Sequence, residues 1–149
     1  MTTLSHMLLL YDGTAESQAA LSRCKQLSLA LKAHVDVVSV VDPDSANANC
    51  AGMLSELAYA YLEELGRRTL STAVDELIQH GVTAHGYLSV GCKADAIFRH
   101  AVSSPPDIVV IGHRLQRGLA RWWRERPVHV DLADRLRGST IVTVTLPDA

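Results

Sequence analysis

The chain has no long apolar run. The longest near its start, Met7 to Leu10, is shorter than the 7–15 residues or so of a signal-peptide core and far below the roughly 20 of a membrane-spanning helix. No basic region leads into it. Membrane partners are thereby excluded, and a cytoplasmic location is expected. Cysteine is scarce: only Cys24, Cys50 and Cys92 are present, with no C-x-x-C pair. An odd count without that spacing argues against a disulfide framework or a zinc knuckle and fits a reducing compartment. Cys24 falls at a helical core spacing and reads as buried packing, whereas Cys50 lies in a polar loop. Charge of one sign is also lacking, with a formal net charge of −2. Nothing global calls for nucleic acid as a partner. The seven histidines form neither H-x3-H nor H-E-x-x-H, so no metal site is expected from spacing. There is no G-x-S-x-G elbow and no Walker A lysine, and the chain is therefore expected not to be an enzyme. Linkers, repeats and low-complexity segments are missing, which predicts one domain over residues 1–149.

What is present alternates. Met7 to Tyr11 is a short continuous apolar run closed by the turn Asp12-Gly13-Thr14, the pattern of a strand buried on both faces. Ser17 to Leu31 carries apolar residues at Ala20, Leu21, Cys24, Leu27 and Leu31, a helical stripe with Thr14 as its N-cap. Val35 to Val41 is nearly all β-branched and is closed by Asp42-Pro43-Asp44. From Met53 the residues Leu54, Leu57, Ala58, Tyr61, Leu62 and Leu65 mark a helical face that continues towards Leu77 and stops at Gly81. Gly66 inside it predicts a bend. Val82 to Leu88 is a weaker strand. A helix follows from about Ala94 to Ser103 and is stopped by Pro105-Pro106. Asp107 to Ile111 is the strongest strand, and a loop is expected from Gly112. A last helix near Val130 to Leu136 leads to the strand Thr140 to Leu146.

Strict β-α alternation with buried, β-branched strands predicts an α/β fold, a Rossmann-like three-layer sandwich. Its five-stranded parallel sheet, in the order 3-2-1-4-5, would carry helices on both faces. Ligands of such sheets bind beyond the carboxyl ends of the strands, where the strand order reverses. Asp12-Gly13-Thr14 after the first strand and Gly112-His113-Arg114 after the fourth would flank that point, with Val41 and Asp42 beside them.

Three stretches resemble universal stress proteins: Leu8-Leu9-Leu10-Tyr11-Asp12-Gly13-Thr14, Val90-Gly91-Cys92-Lys93-Ala94-Asp95-Ala96-Ile97, and Asp107-Ile108-Val109-Val110-Ile111-Gly112-His113-Arg114. Their order and spacing cover essentially the whole chain. The resemblance implies a five-stranded α/β sandwich, usually dimeric, of which some members bind ATP. It places Asp12 against the adenine and Val41 near the base, and it puts the phosphates in a loop of pattern G-x2-G-x9-G-[S/T]. Gly112 matches the first glycine, but the second falls on Leu115. The third glycine and its hydroxyl residue fall on Glu125-Arg126 or, with a short insertion, on Val128-His129; Gly118 is out of register. Such glycines allow φ > 0 and let backbone N–H groups approach phosphate.

Against that loss stands a cluster of arginines, Arg114, Arg117, Arg121, Arg124 and Arg126. It reads as a solvated basic loop, as side-chain phosphate contacts in place of glycines, or, with least weight, as a nucleic-acid contact. Trp122 and Trp123 lie within it and read as core and dimer packing. The candidate nucleotide-binding set is Asp12, Val41, Ile111, Gly112, His113, Arg114 and Arg117, with ATP as the candidate cofactor. The last strand would be a sheet edge, and Ile141, Val142, Thr143 and Val144 are the expected homodimer contact. The leading expectation is a non-catalytic stress-response dimer with weak or absent ATP binding and an unidentified protein partner. The alternative is an ATP- or AMP-binding switch that uses the arginine-rich loop.

Overall fold

The computed structural model describes residues 5–42, 55–115 and 127–146. Cys50, Arg117, Gly118, Arg121, Trp122, Trp123, Arg124, Glu125 and Arg126 lie outside these. The elements are β1 (His6–Leu10), α1 (Ala15–Leu31), β2 (His34–Val41), α2 (Ser55–Gln79), β3 (Ala84–Val90), α3 (Lys93–Ser103), β4 (Ile108–Arg114), α4 (Val128–Arg135) and β5 (Thr140–Leu146). All strand pairs are parallel, in the order β3-β2-β1-β4-β5.

β1 has no polar alternation after His6 because it is the central strand and all five of its residues are buried. Its odd residues Met7 and Leu9 join Val35, Val37 and Val110 against Ala20, Leu21 and Cys24 of α1 and Ala73 and Leu77 of α2. Its even residues Leu8 and Leu10 join Val38, Val109 and Ile111 against Ile97 of α3 and Leu132 of α4. Two residues of period therefore feed two cores, one on each face of the sheet. Full burial of each such aliphatic side chain contributes roughly 1.5–3 kcal/mol. Cys24 is fully buried, and burial pushes its thiol up to about 12, which makes it packing, as expected, rather than a nucleophile.

Helix ends follow local chemistry. The Thr14 hydroxyl accepts from the Ser17 N–H and caps α1. α1 closes on Lys32 in the left-handed region (φ 54°), with the Ala33 N–H on the Ser28 carbonyl. α2 closes across Gly81, where the Val82 N–H reaches the Leu77 carbonyl.

Three expectations need correction. β4 does not stop at Ile111: Gly112, His113 and Arg114 continue it beside Val144, Thr145 and Leu146, because β5 offers a ladder of matching length. α2 runs without interruption through Gly66. That glycine is a contact point instead, since a Cβ there would lie 3.0 Å from Leu88 and 3.2 Å from Val41. Finally, Leu57, Tyr61 and Leu65 are exposed, not core. α2 has 25 residues, about 37 Å at 1.5 Å per residue. β2 has eight, about 26 Å. The helix starts after the carboxyl end of β2 and reaches the amino edge at Gln79, so its first turns overshoot the sheet. The buried face begins at Leu70 and runs through Ala73 and Leu77.

Candidate functional site

The carboxyl ends of β1, β2 and β4 converge as the topology requires. Pairing carries one residue past β1, with the Tyr11 N–H on the Val38 carbonyl, and the Ser39 hydroxyl donates to the Tyr11 carbonyl at 2.7 Å. Asp12 follows directly. One carboxylate oxygen, Oδ1, accepts from the Thr14 N–H at 3.0 Å and from the Thr14 hydroxyl at 2.5 Å. The other, Oδ2, accepts from Lys93 Nζ at 2.9 Å. Burial alone would raise the Asp12 carboxyl, but the Thr14 hydrogen bonds and the Lys93 charge outweigh it and hold it at about 2. Asp12 is a carboxylate at every ordinary pH, at the rim of the sheet.

Val41 is buried beneath α2 at Gly66, and its carbonyl accepts from the Gly91 N–H at 3.0 Å. This bond ties the β3–α3 turn, and with it Lys93, to the end of β2. The Arg99 guanidinium adds a second tie on the Val90 carbonyl at 2.8 Å.

On the β4 side, Ile111 is buried in the α3/α4 core. A Cβ at Gly112 would lie 2.1 Å from the Glu16 carbonyl oxygen, so this glycine lets the first turn of α1 rest on the strand. Arg114 Nε faces Glu16 Oε2 at 3.5 Å. The His113 ring meets the His129 ring edge-on at 4.7 Å, and burial, then the His113 charge, lowers the His129 imidazole. The Leu115 N–H, three residues past Gly112, is bonded to the Leu146 carbonyl. Val128 and His129 open α4, whose N-cap position, Pro127, supplies no side-chain hydrogen bond.

A family model described as the universal stress protein family matches residues 3–126. The chain belongs to the universal stress protein family. Its fold matches that of the hypothetical protein MJ0577, with a TM-score of 0.79 and 15% identity over 99% of this chain and 100% of that one. A universal stress protein in complex with cAMP matches with a TM-score of 0.69 and 18% identity, over 97% and 98%. A universal stress protein family protein from Arabidopsis thaliana with AMP bound matches with a TM-score of 0.65 and 13% identity, over 97% and 93%. A comparison with curated proteins gave no significant match. No helix among the described residues is long and apolar enough to cross a membrane.

The family framework thus brings Asp12, Val41, Ile111, Gly112, His113 and Arg114 to one end of the sheet, while Arg117 lies outside the described residues. Lys93 and Glu16, the ionic partners of Asp12 and Arg114, were missed from the sequence. Neither is near its partner along the chain, and each is one charge among many on a helix start.

A second polar cluster lies at the opposite, amino edge of this universal stress protein's sheet. The buried Asp36 Oδ2 faces His6 Nε2 at 2.8 Å and His100 Nε2 at 3.0 Å. His6 Nδ1 faces the Pro105 carbonyl at 3.0 Å, and the His34 ring stacks on His6 with centroids 4.4 Å apart. Burial would raise the Asp36 carboxyl, but hydrogen bonds from His100 and His6 leave it lowered on balance. The signal for this cluster was a few polar residues in otherwise apolar strands, His6 at the start of β1 and His34 and Asp36 at the start of β2.

Proposed function

We propose that this universal stress protein is a non-catalytic, cytoplasmic, homodimeric regulator that holds an adenine nucleotide weakly, through the base rather than the phosphates. One observation carries the reading. Asp12, the expected base contact, is fixed as a carboxylate at the end of β1, whereas at Leu115, the expected phosphate end, the N–H is spent on the Leu146 carbonyl. A backbone N–H engaged in a strand ladder does not turn to a phosphate. Relatives of the same fold in complex with cAMP and AMP support the ligand class.

The test is calorimetric titration with AMP of the wild type, Asp12→Ala and Arg114→Ala. Asp12→Ala weakens binding roughly tenfold or more, the value of one charge-assisted contact of about 1.5 kcal/mol, and Arg114→Ala changes it little. Equal losses from both would favour a second reading, the phosphate-responsive switch. The long Arg114–Glu16 contact favours that reading, since an incoming phosphate could draw the guanidinium away.

For the dimer, β5 has a strand neighbour on one side only. The Thr140 N–H points to β4, on the Asp107 carbonyl, and Leu146 accepts from Leu115 of the same side. Even-numbered residues of β5, Val142 and Val144 included, therefore bond inward, while Ile141 and Thr143 present N–H groups to the open edge. Thr143→Pro removes an outward donor and should give a monomer by light scattering. An unchanged dimer mass would show that β5 is not the interface.

A further inference from the structure

We propose that His6, His34, His100 and Asp36 form a binding site for a divalent transition metal of the zinc class at the amino edge of the sheet. The site lies at the far end of the strands from the nucleotide cleft and does not depend on the reading above.

The donor atoms are assembled by three separate elements. Register places His6 of β1 directly beside His34 of β2, and Asp36 follows on the same face of β2, two residues on. His100 reaches the same carboxylate oxygen from α3. One donor atom each from His6, His34 and Asp36 lies within 4.8 Å of the others. Tetrahedral zinc with bonds of about 2.0–2.2 Å holds its donors about 3.3–3.5 Å apart. Asp36 Oδ2 is already 2.8 Å from His6 Nε2 and 3.0 Å from His100 Nε2, so each of these two contacts needs to open by only a few tenths of an ångström. His34 is the exposed donor, and its ring, stacked on His6, brings a nitrogen within 4.8 Å of the His6 and Asp36 donors.

The outer contacts are of the kind a metal ligand needs. A ligating imidazole almost always gives its second N–H to a carbonyl or carboxylate, which fixes its tautomer. His6 Nδ1 has such a partner in the Pro105 carbonyl, and this leaves Nε2, the nitrogen aimed at Asp36, for the metal. Imidazole with one carboxylate suits zinc, copper or nickel, not the hard cations magnesium and calcium. Binding replaces the protons shared between Asp36 and the two Nε2 atoms and releases them to solvent. Sequence spacing predicts no metal here because His6, the His34–Asp36 pair and His100 come from two strands and a helix, with gaps of 28 and 64 positions between them; proximity exists only in the fold.

The experiment is competition of the untagged chain against a chromophoric chelator for Zn²⁺, with Co²⁺ absorption to report coordination geometry. The expected result is one saturable Zn²⁺ per chain that raises the melting temperature, a tetrahedral Co²⁺ spectrum, and no competition from Mg²⁺. His34→Ala, a change at an exposed position that keeps the fold, should weaken Zn²⁺ binding roughly tenfold or more, and His100→Ala should do the same. His129→Ala should leave it unchanged. Absence of saturable binding would overturn the proposal. So would an affinity unaltered by His34→Ala, or loss on His129→Ala, which would put the ion on the His113–His129 pair instead.

Discussion

Asp12 and Asp36 stand at opposite ends of neighbouring strands, and each carboxylate accepts from two residues. Around them the similarity ends. Asp12 sits at the rim, held by Thr14 from its own turn and by Lys93 from α3. Asp36 is buried, held by two imidazoles that come from β1 and α3. A carboxylate at the rim keeps lone pairs and solvent access for a ligand. A buried one has to be satisfied by the fold itself, since burying an unpaired charge is costly. The carboxyl end of this sheet therefore leaves its carboxylate open to solvent, and the amino end satisfies its carboxylate internally.

That contrast can be broken by measurement. The largest effect is expected at Asp36: Asp36→Ala removes the acceptor shared by His6 and His100 and should cost about 3–5 kcal/mol in urea unfolding. Asp12→Ala should cost only about 1 kcal/mol, as at other exposed pairs. Equal losses would erase the difference between the two ends. Next comes Gly112→Ala. Its Cβ would lie 2.1 Å from the Glu16 carbonyl oxygen, and neither backbone can yield without moving α1 off β4, so a loss of about 3 kcal/mol is expected. A well-folded Gly112→Ala protein that had lost only nucleotide binding would instead make this glycine a phosphate residue.

Acid should sharpen the comparison further. The folded Asp12 carboxyl lies at about 2, below its ordinary 3.8, so the folded state binds fewer protons than the unfolded one between these values. Its contribution to stability is present above 3.8 and disappears as the pH falls towards 2. Asp36 is shifted in the same direction and adds to the loss. Acid titration of Asp12→Ala should show a shallower fall in stability over that window. The smallest effect is at Lys32, the left-handed residue that closes α1. Lys32→Gly should stabilise by about 0.5–1 kcal/mol, a shift readable in the melting temperature.

The sheet order, both core faces and the Thr14 cap were legible because each rests on local pattern: uninterrupted apolar runs, strict alternation of elements, a hydroxyl before an apolar stripe. The exposed stripe Leu57, Tyr61 and Leu65 was not legible, because helical periodicity says which residues share a face and not where the sheet beneath it ends. The role of Gly112 was half legible. The sequence put it at a strand end, whereas it lies inside β4, and the constraint is the backbone of α1 pressing on it, a contact across about a hundred positions of chain. His6, Asp36 and His100 escaped for the same reason. His6 and Asp36 are polar residues in apolar strands and His100 is one of several polar residues on α3, and only the parallel register of β1 and β2 brings the first two together.

The most direct test of the central claim is a calorimetric comparison of adenosine, AMP and ATP on the wild-type protein. If the base end binds and the phosphate end does not, the three affinities should fall within about tenfold of one another, a spread of about 1.4 kcal/mol. An ATP affinity some thousandfold above that of adenosine would require phosphate contacts worth about 4 kcal/mol and would contradict the account.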